Sequence, residues 1–464
     1  MSEGYRVSKD SLGEVKVPNE AYWGPQTQRA IDNFPISGLR LPRRFIRAQG
    51  IIKWAAAKAN RDVGALPREV ADAIMRAADE VIDGQWDRQF VVDVYQAGAG
   101  TSQNMNANEV IANRAAELLG GKRGDSQRVH PNDHVNMAQS TNDTIHVAIH
   151  IAAAEALLHD LAPELASAQQ VLEQRASEWM SIIKSGRTHL QDAVPMRLGQ
   201  EVGGWAGAIR YWRGQMEGVV SGLYAIGLGG NAVGTGINAH PEYRLRAVQA
   251  VAEKTGLSFR LPDNMFTFIQ NMDAVLAASG WLRGVATALG KIANDIRLLS
   301  SGPRTGLAEL ILPPVQPGSS IMPGKVNPVM AEMMNMICFQ VYGNDLAVQS
   351  AVAAGQLELN VMMPVAAYNL LHGAHILTTG IHAFRQRGLE GLSADVKRVT
   401  GFVEMNTALA TALNPYIGYD KAAVVAKTAF REGKTVRQVV REQGLLDEAQ
   451  LQEALDLDRI APAE

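Results

Sequence analysis

Apolar residues recur at three- and four-residue spacing over most of the chain, which predicts a mostly α-helical protein. Two such segments, 43–64 and 68–84, end on glycine, as helices closed by a left-handed residue do. Longer segments rich in Ala, Leu, Ile and Val follow from about 143 to 390. Because their near-continuous apolarity exceeds what one chain's bundle can bury, we predict that the long helices also pack against copies of the chain.

The two ends of the chain differ from this central pattern. Glycine, proline and asparagine punctuate the first forty or so residues, and short alternating pieces such as EVKVP predict an irregular arm with one small hairpin. After about residue 394 the composition becomes more charged. We therefore predict three domains: an N-terminal helical domain with an arm (1–139), a central long-helix bundle with a loop at 318–328 (140–393), and a small helical C-terminal domain (394–464).

The charge balance excludes some classes of partner. The 44 Lys and Arg against 47 Asp and Glu give a net charge of −3, far from the positive field that binds nucleic acid or anionic lipid. Small molecules or copies of the chain are the expected partners. No apolar leader precedes the arm and no uncharged apolar run reaches ~18 residues, so we expect a cytoplasmic protein. The single cysteine, Cys338, lies in an apolar helical pattern and is expected to be a core residue.

Polar stretches interrupt the helical pattern at several places, and two of them precede helices. In QAGAGTSQNMNANE, the hydroxyls and amide of Thr101, Ser102 and Asn104 either cap the following helix or bind a carboxylate there. The second stretch, QSTNDT, presents Ser140, Thr141 and Asn142 in a row. Since one capping residue would suffice, three consecutive donors favour an anion site.

A third polar stretch, SGRTHLQD, supplies Thr188 and His189 in a predicted loop. A lone histidine is commonly structural. One that is flanked by Arg187 and a threonine in a polar loop is also able to relay protons near neutral pH. Both interpretations of His189 stay open at this point.

The fourth stretch, GSSIMPGKVNP, suits neither a helix nor a strand. Ser319 and Ser320 offer hydroxyls, Lys325 a cation and Asn327 a two-donor amide. If Ser319 loses its proton, nearby positive charge and N–H groups would stabilise the alkoxide. Because no G-x-S-x-G elbow surrounds the serine, a mobile loop that carries a base is favoured over acyl transfer.

At this loop the sequence resembles the signature of the aspartase/fumarase superfamily. GTSQNMNANEVIANRA, HPNDHVNMAQSTND, GRTHLQDAVP and ALNPYIGYDKAA resemble the other blocks of that superfamily, in order, over nearly the whole chain. The resemblance implies a three-domain, mostly helical subunit whose long helices form a twenty-helix bundle in a homotetramer. It also implies active sites that draw loops from three subunits, a small dicarboxylate substrate, and no metal or organic cofactor.

The resemblance assigns a role to each candidate residue. Ser319 would be the base that removes a proton beside a carboxylate, and His189, with Glu332 as its partner, would support the acid side. Lys325 and Asn327 would hold the carboxylate as it becomes an aci-acid dianion. The remaining residues implied in substrate binding are Thr101, Ser140, Thr141, Asn142, Thr188 and Ser320. In fumarases the short stretch around His130, Asn132 and Asp133 forms a second carboxylate site.

The choice of substrate depends on smaller differences. GAGTS, QSTND and GQLELNVM resemble aspartases, whereas AYWGPQTQRA and HPND resemble fumarases. We expect aspartate ammonia-lyase activity, the elimination of ammonia from L-aspartate to give fumarate, with class II fumarate hydratase as the alternative. A non-enzymatic scaffold is disfavoured because the loop residues are retained. The positions that depart from the superfamily's usual residues are Ile145, His146, Val147, Asn231 and Met363.

Overall fold

A computed structural model describes residues 4–463, and the prediction of a mostly helical protein is confirmed. The α-helices are α1 (Pro25–Asn33), α2 (Arg43–Asp62), α3 (Arg68–Ile82), α4 (Thr101–Leu118), α5 (Thr141–Glu155), α6 (Ala162–Glu178), α7 (Leu198–Leu223), α8 (Tyr243–Thr255), α9 (Met265–Gln270), α10 (Asp273–Leu299), α11 (Val329–Ala353), α12 (Met363–Phe384), α13 (Val396–Met405), α14 (Asn414–Ile417), α15 (Tyr419–Glu432), α16 (Val436–Glu442), α17 (Glu448–Ala454) and α18 (Leu457–Ile460). Three antiparallel pairs accompany them: β1 (Tyr5–Asp10) with β2 (Gly13–Pro18), β3 (Ile183–Thr188) with β4 (Gln191–Arg197), and β5 (Leu310–Ile311) with β6 (Ser393–Ala394).

The chain folds into two compact units, each assembled from three stretches of sequence. Unit 1 contains the chain up to Pro163, Gln215–Gly284 and Phe339–Leu377. Unit 2 contains Glu164–Gly214, Val285–Cys338 and the chain from Thr378 onwards. The boundaries of the three predicted domains remain a prediction.

Helix α2 is the centre of unit 1. It packs against α3, α5 and α8, and most of its side chains are buried. A Cβ on Gly50 would lie 2.9 Å from the Ile82 side chain, so glycine is needed for this close approach of α2 to α3. Both helices end as predicted, because Gly64 and Gly84 follow them with φ of 76° and 86°. The predicted N-terminal hairpin is also present, as β1 and β2.

The helical stretch Thr141–Glu178 runs through α5, a π-helical turn at Ala156–Leu161, and α6. By length and composition this one helix among the described residues is apolar enough to cross a membrane, but 78% of its apolar window is buried inside the protein. Burial of that extent is what a core helix of a folded domain shows. Near the π-helical turn, Arg44 and Arg47 both pair with the buried Glu155.

Unit 2 combines a twisted hairpin with a small helical core. Helix α13 packs on β3, and the 3₁₀ segment Thr407–Leu413 packs on β4. The C-terminal helices enclose an apolar cluster that includes Leu413, Val425 and Leu451. Cys338 is a buried free thiol whose pKa burial raises to about 12, which agrees with its predicted place in the core.

Helix α11 carries exposed apolar side chains on one face. Met336, Phe339 and Leu346 are 63%, 64% and 62% exposed, at spacings of three and seven residues. Such spacing is typical of a helix that packs against another helix. The predicted homotetramer would bury this stripe.

We predict that the purified chain elutes with a mass of about four times 50.1 kDa in size-exclusion chromatography with light scattering. Phe339→Glu should lower that mass, because a buried interface would leave the new carboxylate unpaired. The matched control is Phe430→Glu on α15, where phenylalanine is 82% exposed, and it should leave the mass unchanged. A monomeric wild-type chain with full activity would contradict the predicted assembly.

Candidate active site

The start of α5 holds three of the candidate residues in unit 1. Ser140 is the N-cap and its Oγ accepts the backbone N–H of Asn142 at 3.2 Å. Asn142 uses its Nδ2 to donate to the carbonyl of Ala232 at 2.7 Å. Thr141 Oγ1 accepts from Asn104 Nδ2 at 3.2 Å, which leaves the threonine's hydroxyl hydrogen free to donate. Capping and anion binding are therefore compatible here, because the positive end of the helix dipole remains at this partly exposed turn.

The buried carboxylate of Asp143 holds the first turn of α5 in place. Asp143 is fully buried and accepts the backbone N–H groups of Ser140, Gly229 and Asn231 at 3.0, 2.9 and 2.9 Å. Burial raises the pKa of Asp143, while these hydrogen bonds and the charge of Lys53 favour its ionised form. The carboxylate thus ties the glycine-rich segment after α7 to the first turn of α5.

The first turn of α4 places Thr101 differently from the expected capping arrangement. The N-cap position is taken by Gly100 in a left-handed conformation, and the side chain that accepts a first-turn N–H, that of Gln103 at 2.8 Å, is Gln96. Thr101 Oγ1 donates to the carbonyl of Gly98 at 3.2 Å and is exposed, whereas Ser102 and Asn104 point into the buried interior. The capping interpretation of Thr101, Ser102 and Asn104 is therefore wrong. Thr101 is exposed to a ligand, and its hydroxyl can donate to one only by leaving the Gly98 carbonyl.

The predicted second carboxylate site is a short π-helical turn, Pro131–Val135. The Nδ1 atom of His130 accepts the backbone N–H groups of Asn132 and Asp133 at 3.2 and 3.1 Å. A neutral imidazole that accepts at Nδ1 carries its proton on Nε2, so the His130 ring is a donor at its other nitrogen. A donor next to exposed backbone suits a carboxylate ligand, and this role remains a prediction.

In unit 2, Thr188 and His189 lie at the tip of the β3–β4 hairpin instead of in the predicted open loop. His189 and Leu190 form the two-residue turn, with φ of 55° and 58°. Turns of this type favour Asn and Gly, so a His-Leu pair in left-handed conformation stores strain, of about 1–2 kcal/mol per residue. Strain of this kind is concentrated at functional sites.

The base of the same hairpin is fixed by buried charges. Glu309 is fully buried and pairs with Lys184 at 2.9 Å and with Arg187 at 2.7 Å. Lys184 also pairs with Glu201 at 2.6 Å. These ion pairs anchor β3 just below the exposed Thr188 and His189.

The loop Gly318–Pro328 is closed on itself by hydrogen bonds. The N–H of Gly318 donates to the carbonyl of Lys325 at 2.9 Å, and Asn327 Nδ2 donates to the carbonyl of Gly318 at 2.7 Å. A Cβ on Gly318 would lie 2.3 Å from that Lys325 oxygen, so only glycine fits there. Asn327 therefore shapes the loop with one of its N–H groups and keeps the other for a ligand.

Within this loop, Ser319 is surrounded by hydrogen-bond donors. Its Oγ accepts the backbone N–H groups of Ile321 and Met322 at 3.2 and 3.0 Å. Ser320 and Lys325 are exposed on the same loop. Only residues between Pro314 and Val326 line the adjoining open cleft of about 470 Å³, so the loop alone does not enclose a ligand.

His189 does not contact its expected partner, Glu332, within one chain. Among residues 4–463, His189 and Glu332 share no ion pair, and Glu332 lies in the first turn of α11. Since the resemblance implies sites shared between subunits, this pairing remains a prediction for the assembled protein.

Comparison with known proteins now identifies the family. A family model described as "Lyase" matches residues 13–343, and one described as "Fumarase C C-terminus" matches residues 409–461. The chain belongs to the aspartase/fumarase superfamily. A class II fumarate hydratase of Halobacterium salinarum is 54% identical over 98% of this chain and 97% of that protein. An aspartate ammonia-lyase of a Bacillus species is 47% identical over the same shares of the two chains.

Solved structures of the superfamily have the same fold. The crystal structure of recombinant class II fumarase from Schistosoma mansoni matches with a TM-score of 0.96 at 36% identity, covering 99% of this chain and 100% of that one. The protein is therefore a lyase of this superfamily, which acts on small dicarboxylates.

The expectation of aspartate ammonia-lyase activity is wrong. Relatives that are 45–54% identical to this chain, from Halobacterium salinarum, Myxococcus xanthus and Neisseria meningitidis among others, are named class II fumarate hydratase and outweigh the aspartate ammonia-lyase at 47%. The expectation relied on exchanges such as Thr141 for serine, which adds one methyl group. An exchange of that size changes selectivity by only ~1–3 kcal/mol, so it does not decide the reaction.

Most departures from the superfamily's usual residues are core positions in this structure. Ile145 packs on Gly100, where an added Cβ would lie 3.1 Å from it, and His146 stacks on Phe268 with ring centroids 4.1 Å apart. Val147 and Met363 are buried as well. Burial lowers the pKa of His146 well below its ordinary value, so this ring stays neutral. The fifth departure, Asn231, has a φ of 62°, which asparagine tolerates better than most residues.

Sequence reasoning missed the buried charges that support the candidate residues, although each carried a signal. Asp143 stands three residues after the cap Ser140, the spacing of a capping box. Lys53 and Glu309 interrupt apolar runs, IIKWAAA and LAELIL. A charge inside an apolar run is a sign of a buried, paired group.

We predict that His189→Asn lowers lyase turnover at least ~10²-fold, the usual scale for loss of a positioned acid or base, without lowering the unfolding temperature. Asparagine keeps the left-handed turn while removing the imidazole. Steady-state kinetics and thermal unfolding of the same preparation measure the two effects.

The adjacent Leu190→Gly variant is the control for the turn itself. Glycine relieves the left-handed strain, so turnover should be retained and the unfolding temperature unchanged or raised. Full turnover in His189→Asn would exclude His189 from the chemistry.

Proposed function

We propose that the protein is a class II fumarate hydratase, a carbon–oxygen lyase that interconverts L-malate with fumarate and water. The 54% identity to a protein of that name over almost the whole chain supports this choice of reaction. The composition of the candidate site supports a substrate with two carboxylates, since donors and one cation outnumber acidic groups there.

The observation that carries the proposal is the environment of Ser319. A serine hydroxyl is normally a very weak acid, so it acts as a base only if the alkoxide is stabilised. Each hydrogen bond from Ile321 and Met322 to the Ser319 oxygen would strengthen as the oxygen ionises, from ~0.5–1.5 kcal/mol for a neutral acceptor to ~1.5–3 kcal/mol for a charged one. Both bonds therefore lower the pKa of the Ser319 hydroxyl. Lys325, on the same loop, adds a positive charge.

In the proposed reaction, the Ser319 alkoxide removes the proton from the carbon next to one carboxylate of L-malate. The electrons of that bond pass into the carboxylate, which becomes an aci-acid dianion held by Lys325 and Asn327. When the double bond of fumarate forms, the carbon–oxygen bond breaks and the hydroxyl takes a proton from the protonated His189, beside Thr188, and leaves as water. Proton exchange with solvent then restores the Ser319 alkoxide and the protonated His189. Stabilisation of developing charge by fixed donors is the main catalytic effect.

The other carboxylate would be bound at helix starts. Ser140, Thr141 and Asn142 open α5, and the exposed Thr101 opens α4. The proposed homotetramer would bring these groups and those of unit 2 into common sites, as the superfamily resemblance implies. A cytoplasmic location is part of the same proposal.

We predict that the enzyme converts L-malate to fumarate rapidly and L-aspartate at a negligible rate. The measurement is fumarate absorbance in parallel reactions at equal enzyme concentration. The reverse assay, loss of fumarate absorbance in water without ammonium, should proceed equally well. Fumarate from L-aspartate alone would refute the hydratase proposal and leave the fold unaffected.

We also predict that Ser319→Ala lowers turnover of L-malate by ~10²–10⁴-fold, the range for loss of a positioned base. The variant should unfold at the wild-type temperature, because the hydroxyl contributes no packing. Ser11→Ala, in the exposed turn of the N-terminal hairpin, is the matched control and should keep wild-type turnover. If Ser319→Ala retains near-wild-type turnover, another group is the base.

A further inference from the structure

Lys53, on α2 in unit 1, is completely buried. Among the described residues, no carboxylate forms an ion pair with it. Lys53 is only 1% exposed, and its Nζ donates to Asn104 Oδ1 at 2.8 Å, Asn136 Oδ1 at 2.9 Å and Gln139 Oε1 at 2.9 Å. An ammonium has three N–H donors, so these three amide oxygens use all of them. Burial lowers the pKa of Lys53 to about 7, and Asp143 opposes the shift. The three oxygens also favour the charged form, because a neutral amine would turn a lone pair towards one of them.

The ammonium determines how the side chain of Asn104 is oriented. An amide offers an oxygen on one side and an NH₂ group on the other, and Lys53 accepts no hydrogen bond, so the oxygen has to face the lysine. The NH₂ group then faces Thr141 Oγ1, at 3.2 Å, and Asn136 Oδ1, at 3.2 Å. Thr144 adds little to this orientation, because its one hydroxyl hydrogen has a nearer acceptor in the Ser140 carbonyl, at 2.9 Å, than in the Asn104 oxygen, at 3.3 Å.

The orientation of Asn104 decides what the Thr141 hydroxyl does. With the NH₂ group of Asn104 as donor, Thr141 Oγ1 is an acceptor on its buried side and its own hydrogen points elsewhere. If the amide turned over, its oxygen would attract that hydrogen inwards. Lys53 thus keeps the Thr141 hydroxyl hydrogen available to a ligand. Without Lys53, that hydrogen would be donated to the Asn104 oxygen.

We propose that Lys53 is a positioning residue for carboxylate binding, which acts through Asn104 to keep the Thr141 hydroxyl a donor at the start of α5. The inference rests on the proposed function, in which Thr141 binds a carboxylate of the substrate. Lys53 itself is enclosed by Asn104, Asn136 and Gln139 and does not touch the substrate.

The first test measures binding of succinate, a dicarboxylate that cannot undergo the elimination, by isothermal titration calorimetry. Lys53→Met should weaken binding about 10- to 100-fold, the scale of one hydrogen bond to a charged acceptor. Lys58→Met is the matched control: it lies five residues later on α2, pairs only with Asp62 and Glu253 in the described residues, and should bind like wild type. Equal affinity of the Lys53→Met and Lys58→Met variants would overturn the proposal.

A double-mutant cycle separates this role from simple support of the fold. Thr141→Val removes the hydroxyl, so adding Lys53→Met to it should cause little further loss of affinity. A structural role would instead give losses that add up in the double variant, and that result would overturn the proposal.

A second variant keeps the test decisive if Lys53→Met does not fold. Asn104→Asp retains an acceptor for Lys53 but has no NH₂ group, so the Thr141 hydroxyl would donate inwards to the carboxylate. Affinity for succinate should fall about 10-fold or more, on the same hydrogen-bond scale, and the loss should vanish in the Thr141→Val background. A loss that persists in that background would mean that the new charge acts directly, contrary to the proposal.

Failure of the role of Lys53 can be told apart from failure of the proposed hydratase function. Wild-type enzyme that binds succinate without converting L-malate would refute the hydratase reaction and leave the cycle valid. Wild-type enzyme that converts L-malate, together with a Lys53→Met variant of unchanged affinity, would refute the role of Lys53 alone.

Discussion

The geometry of unit 1 depends on a carboxylate that has no access to water. Asp143 holds three backbone N–H groups from two segments, and these bonds, followed by the charge of Lys53, offset the burial of its carboxylate. A buried carboxylate without such donors would cost ~1–3 kcal/mol or more. The positions of Ser140, Thr141 and Asn142 follow from this constraint, because the helix start that carries them is bonded to the carboxylate.

Buried charged residues also hold a candidate residue of unit 2, His189, in place. Lys184, Arg187, Glu201 and Glu309 form a set with no net charge, in which Lys184 and Glu309 are fully buried. The set fixes the base of the β3–β4 hairpin, and the two-residue turn at its tip has left-handed residues that are neither Gly nor Asn. A strained turn persists only if its flanking strands are held firmly. The buried ion pairs therefore account for the fixed position of His189.

The helices were predictable from sequence because their signals are local. The termini of α2 and α3 coincide with Gly64 and Gly84, and Ser140 with Asp143 marks the start of α5. The β3–β4 hairpin was not predictable in the same way. Its turn is His-Leu instead of Asn-Gly, a proline at 195 lies in β4, and the register shifts between Ser185 and Arg187. Tertiary contacts, such as the packing of α13 on β3, add to the pairing of its two strands.

The candidate site likewise contains some residues that could be recognised from the sequence and others that could not. Its exposed residues His189 and Thr101 and the half-buried Ser319 were recognisable because polar residues in the segments between apolar helices have few other uses. The residues that orient them were not, since Lys53 and Glu309 become meaningful only when distant segments meet around them. Asn104 was noticed as a cap and proves to be a buried link between a lysine and a threonine.

The same contrast explains why the sequence was a weak guide to the leaving group, which is ammonia for L-aspartate and water for L-malate. The residues at 145–147 that depart from the superfamily's pattern pack into the core, and the Thr141 oxygen is occupied on its inner side by Asn104. Ser140 and Asn142 each use a polar atom to hold backbone of their own unit. None of these differences therefore changes a group that distinguishes a hydroxyl from an ammonium. Under the proposed mechanism, that distinction falls to groups placed around the leaving group, and in this chain the strained hairpin tip with Thr188 and His189 presents them.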